Sequence, residues 1–70
     1  PGVSSKDKQA CIRAVRKQTK NATLSVIGAL SSEANNQVTV SVGQQLAPWK
    51  CLVKRGKVST IMSLTDEGAL

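Results

Sequence analysis

The stretch Trp49-Lys50-Cys51-Leu52-Val53-Lys54-Arg55-Gly56-Lys57-Val58-Ser59-Thr60-Ile61-Met62 decides the fold. Trp49, Cys51 and Val53 alternate with Lys50, Leu52 and Lys54, the period of two expected of a strand with one buried face. Arg55-Gly56 interrupts the alternation, and glycine supplies the permissive backbone of a tight turn. The segment therefore reads as a hairpin, with strands over 49–54 and 57–64. The plain register opposes Val53 with Val58, Cys51 with Thr60 and Trp49 with Met62 on one face. Lys50, Leu52, Lys54, Lys57, Ser59 and Ile61 fall on the other. Cys51 lies in the middle of the apolar face.

Upstream, residues 5–19 read as a helix. Ser4 is a good N-cap, and Asp7 sits near the positive helix end. At 100° per residue, Cys11, Ala14, Val15 and Gln18 share one side with Ile12 on the flank. Lys6, Arg13, Arg16, Lys17 and Lys20 occupy the opposite arc. Asn21 is placed to end the helix in a left-handed conformation. Residues 23–30 then switch to period two, with Leu24, Val26 and Leu30 on one face and Gly28 between them. Residues 31–36 are turn-rich. Residues 37–42 alternate, with Val38, Val40 and Val42 inward and Gln37, Thr39 and Ser41 outward. Pairing Val26 with Val40 gathers the even-numbered apolar residues on one side. Residues 43–48 read as a loop, because Pro48 cannot donate to a ladder.

The two patterns meet at sulfur. Cys11 is central in the helix's apolar stripe and Cys51 in the hairpin's apolar face. A helix laid across that face brings them within the Cα separation that a disulfide needs. The fold class expected is thus α+β: one N-terminal helix on a four-stranded antiparallel meander, α-β-β-β-β, with a Cys11–Cys51 helix-to-strand disulfide. Residues 1–70 are expected to be a single domain, its ordered core over about 5–64 and its tail over 65–70.

Seventy residues with one Trp, no Phe and no Tyr leave the core to aliphatic side chains, so a covalent staple is valuable at this size. A disulfide points to an oxidising compartment, that is, a periplasmic or secreted protein. No signal peptide is visible and Pro1 is not an initiator, so the chain reads as trimmed or processed upstream. No apolar run reaches the length of a membrane span, and membrane attachment is expected only through an upstream anchor.

The net charge of +6 is unevenly spread, which favours acidic partners. Catalysis has little to work with. There is no His or Tyr, and the acids Asp7, Glu33, Asp66 and Glu67 show no convergence suited to acid–base chemistry. Two cysteines without histidine do not make a zinc site. No catalytic residue, metal or cofactor is expected. Nucleic acid is disfavoured because Trp49, the single ring, points inward and cannot serve as a stacking platform.

Pro48-Trp49-Lys50-Cys51-Leu52-Val53 through Gly56 and Val58, with Cys11 on a preceding helix, resembles small exported bacterial domains of unknown function. These often form the C-terminal part of envelope proteins or lipoproteins. The resemblance implies an extracytoplasmic location and a single Cys–Cys bridge, and it carries no catalytic residues. The function expected is a non-catalytic binding module for a protein partner or for itself. Lys50, Leu52, Lys54 and Ile61 are the docking residues, on the sheet face that one helix cannot cover. The alternative is an anion-binding module, for nucleic acid or acidic lipid, using Arg13, Arg16, Lys17 and Lys20.

Overall fold

The computed structural model describes residues 3–64; the expected tail over 65–70 lies outside them. Helix α1 spans Ser5–Thr19 and is followed by β1 (Leu24–Leu30), β2 (Asn36–Val42), β3 (Ala47–Lys54) and β4 (Lys57–Ser63). The four strands form one antiparallel sheet in chain order. The helix packs on one side of it, and Cys11 is bonded to Cys51 across the interface with their Cα atoms 5.7 Å apart.

The helix starts where the capping residue says it should. Ser4 is extended, and its Oγ accepts a hydrogen bond from the Asp7 N–H at 3.2 Å. It ends at Thr19 as expected, but Lys20, not Asn21, takes the left-handed conformation at φ 57°. The Lys20 N–H donates back to the Arg16 carbonyl. Asn21 instead bends the following turn, its Oδ1 accepting from the Thr23 N–H at 2.8 Å, a local bond typical of Asn in turns.

The buried helical positions are Asp7, Ala10, Cys11 and Val15. Their spacing of three and four keeps one stripe on the sheet. The expected stripe ran further toward the C-terminus. Gln18 is exposed and Ala14 half-buried, whereas Asp7 and Ala10 are inside. The helix contacts the sheet mainly through its first three turns.

Val38, Val40 and Val42 of β2 all face the core, as alternation required. With Val15, Val53, Cys11 and Cys51 they make an interior in which six side chains are fully buried and none is aromatic. Trp49 packs at the margin, with Ile12, Leu24, Val26, Ala47, Val58 and Ile61. Close-packed β-branched residues and a disulfide thus take the place of ring area.

Two bulges correct the expected registers. In β1, Val26 pairs with Val40 as expected, but Ile27 is then skipped and Gly28 pairs with Thr39. Beyond that point the faces exchange: Ala29 pairs with Val38, and Leu30 pairs with Gln37 away from the core. In β4, Val58 opposes Val53, Ser59 is skipped and Thr60 pairs with Leu52. Cys51 therefore faces Ile61, not Thr60, and Lys50 faces Met62. An extra residue on one strand shifts everything after it by one, and one step reverses every side chain. The 43–48 loop is also shorter than expected. The turn covers 43–46, and β3 already includes Ala47 and Pro48, where proline is tolerated at a strand's start.

Candidate functional site

Among the described residues, one helix covers one face of the sheet and no element covers the other. Register identifies what lies on the uncovered side. One row across all four strands is Leu30–Gln37–Leu52–Thr60. The next is Gly28–Thr39–Lys50–Met62. A third runs Ser25–Ser41–Pro48, although Ser41 is itself buried. Lys54 and Lys57 pair at the end of the face. The surface is thus a field of threonine, glutamine and serine around Leu52, Met62 and Leu30, with Lys50 near its centre. Leu30 is 63% and Met62 37% exposed.

Of the residues expected to dock a partner, Lys50, Leu52 and Lys54 lie on this face. Ile61 does not: the Ser59 bulge turns it to the helix side, where it packs against the core beside Cys51. Met62 takes its place. Lys50 and Leu52 are half-buried among their neighbours, and Lys54 is exposed. On the other side of the molecule, Arg13, Arg16, Lys17 and Lys20 are all exposed on the outer surface of α1, as the alternative anion-binding reading places them.

Sequence reasoning missed the role of Asp7. It is only 5% exposed. Its Oδ1 accepts from the Gly56 N–H at 2.8 Å. Its Oδ2 accepts from Asn36 Nδ2 at 2.6 Å. One carboxylate in the first helical turn therefore holds the start of β2 and the β3–β4 turn together. A buried carboxylate is tolerated because both oxygens are satisfied. No sequence signal announced it beyond an acid near a helix N-terminus, since its partners lie 29 and 49 residues away.

The β3–β4 turn has its own character. Arg55 and Gly56 both have positive φ, 52° and 79°, the pattern of a two-residue type I′ hairpin. The Lys6 stem lies against the turn: a Cβ built on Gly56 would sit 2.9 Å from Lys6 Cε. A depression of about 620 Å³ opens beside it, lined by Asn35, Lys54, Arg55, Lys57, Val58 and Ser59. A second, of about 450 Å³, lies at the other end of the sheet against Asn21, Val42 and the 43–47 turn.

Both cysteines are consumed by the bridge and fully buried. Among the described residues no cluster of three or more His, Cys, Asp or Glu is arranged to hold a metal ion, and no helix is long and apolar enough to cross a membrane. No family model, curated protein sequence or solved structure matches this chain.

Proposed function

We propose that this is a non-catalytic binding domain of the bacterial cell envelope, periplasmic or secreted, that docks a protein partner on the uncovered sheet face. The observation that carries this reading is the composition of that face. Leu30, Leu52 and Met62 stand among neutral hydrogen-bonding side chains, with lysines at the centre and one end. Apolar anchors with a polar surround are the usual anatomy of a recognition surface. A heterologous partner fits better than a second copy. Two such faces related by a twofold axis through their centre would bring Lys50 of each chain against its copy, whereas an acidic partner complements the lysines.

The non-catalytic reading is supported by a chain without His or Tyr and by an inward-facing Asp7 whose two oxygens are occupied. The envelope location is supported by the disulfide, which persists in oxidising compartments.

The test is site-specific photocrosslinking in the producing cells. A photoreactive residue replacing Lys50 is expected to give a discrete adduct, and one replacing Arg16 on the outer helix surface is not. Leu52→Ser combined with Met62→Ser is expected to remove the adduct while the folded protein persists. An adduct unchanged in that double variant, or none at all from position 50, refutes docking on this face.

A further inference from the structure

Two local rules of hairpin stability are broken within the four residues 54–57. Lys54 and Lys57 are directly opposite each other, where like charges destabilise a cross-strand pair. Arg55 occupies the left-handed first position of the turn at φ 52°, a place that favours Asn, Asp or Gly. Among the described residues no carboxylate lines the adjoining depression, and Asp7, which reaches this turn, has its two oxygens committed to Gly56 and Asn36. A fourth cation, Lys6, rests its stem on Gly56, outside the lining of the depression. Concentrated breaches of local preference with no compensating contact are characteristic of functional positions.

We propose that the β3–β4 tip, formed by Lys54, Arg55 and Lys57 with Lys6, is a binding site for multiply charged phosphate groups. Each part has a stated task. Arg55 offers a planar fork of donors suited to phosphate oxygens. Lys54, Lys57 and Lys6 supply point charges around it. The bond from the Gly56 N–H to Asp7 fixes the turn, so the cations are held in place before the ligand arrives. Asn35 and Ser59 on the wall provide neutral hydrogen-bonding groups. The ligand relieves the repulsion that the free protein carries. This site shares Lys54 and Lys57 with the end of the docking face, but it centres on Arg55 and needs neither Leu52 nor Met62. It also differs from the outer helix surface of Arg13, Arg16, Lys17 and the capping Lys20, whose cations are strung along one helix and its end.

The experiment titrates the full chain with sodium tripolyphosphate at low ionic strength, following backbone amides by NMR. Shift changes are expected at Lys6, Asn35 and 54–59. A triple variant, Lys54→Gln, Arg55→Asn and Lys57→Gln, is expected to weaken binding at least tenfold. Removing the same charge from the helix, with Arg13→Gln, Arg16→Gln and Lys17→Gln, is expected to change it less than twofold. Equal losses in the two triples, or shift changes spread evenly over the helix cations, overturn the site, because binding then follows net charge alone. No binding at low salt overturns it as well. The single variant Lys57→Glu guards against a folding artefact. It replaces a repulsive cross-strand pair with an attractive one, so it is expected to raise the melting temperature by a few degrees while weakening tripolyphosphate at least tenfold. A Lys57→Glu protein that melts lower, or binds as before, contradicts the argument. Cosedimentation with vesicles containing phosphatidic acid, whose phosphomonoester headgroup is multiply charged, then identifies the source of the phosphate. Tighter binding to vesicles than to tripolyphosphate assigns a lipid headgroup, and the reverse assigns a soluble ligand.

Discussion

Replacing Asp7 separates two explanations for how the helix is held to the sheet. In Asp7→Ala, the Gly56 N–H and the Asn36 amide lose the acceptors that now sit at 2.8 and 2.6 Å. A hydrogen bond to a charged group contributes about 1.5–3 kcal/mol. Gly56 and Asn36 are half-buried, so water replaces part of each bond and the lower end applies. Two bonds at about 1.5 kcal/mol, with a few tenths more for an acid at a helix N-terminus, give a loss of about 3 kcal/mol. Removing the carboxylate's own burial cost returns some of this. Against roughly 4–10 kcal/mol for a whole domain of this length, the loss is large and lowers the melting temperature by on the order of 15 °C. Asp7→Asn has a different outcome. Its Oδ1 still accepts from Gly56, and with the Asn36 amide turned over its Nδ2 donates in place of accepting. Both bonds survive without charge assistance, and the loss is about 1 kcal/mol. Urea unfolding followed by Trp49 fluorescence, with the disulfide intact, measures both variants. If Asp7→Ala stays within about 0.5 kcal/mol of the parent, the carboxylate does not anchor the turn. If Asp7→Asn is as damaging as Asp7→Ala, charge and not bond geometry holds it.

Two further perturbations follow from the same contacts. Changing both Cys11 and Cys51 to Ala opens a 40-residue separation and is expected to cost roughly 4 kcal/mol by the chain-entropy estimate. A loss under about 1 kcal/mol in urea would contradict that value, and a thiol titration of the native parent should find no reactive sulfur. Gly56→Ala places a side chain at φ 79° and against the Lys6 stem, and should destabilise by about 1–2 kcal/mol. Adding Lys6→Ala should recover only a small part, because the backbone strain remains; full recovery would show that crowding alone was responsible.

The elements were legible because their periods differ. Cys11 and Val15 recur at helical spacing, and Val38, Val40 and Val42 alternate, so a helix lying on a meander was readable, as was the bridge between two apolar faces. The reading failed at single-residue insertions. A plain alternation assumes no bulge, and one skipped residue at Ser59 moved Ile61 inward and Met62 outward. Hints were present: Gly28 interrupts a strand, and Val58 and Ile61 are three residues apart where a regular strand would put two. Asp7 left no such trace, since its role exists only once Asn36 and Gly56 have been brought to it. The capping residue differs from expectation at Thr19, whose Oγ1 donates to the Val15 carbonyl and accepts from the Asn21 N–H, leaving Lys20 to turn the chain.

The sulfur bridge also divides the polypeptide into a closed ring and two free arms. The ring contains most of α1, all of β1 and β2, and the first half of β3. A protease nick at the exposed Gln44, Gln45 or Leu46 opens the ring but leaves one covalent molecule, which migrates as a single species until it is reduced. β4 lies on the free arm beyond it. A cut after Lys54 or Arg55, where trypsin-like enzymes cleave, severs the last strand from every covalent restraint, and with it the partner of Cys51 in the sheet. The basic tip of the last hairpin is therefore the corner at which one hydrolysed peptide bond dismantles the fold.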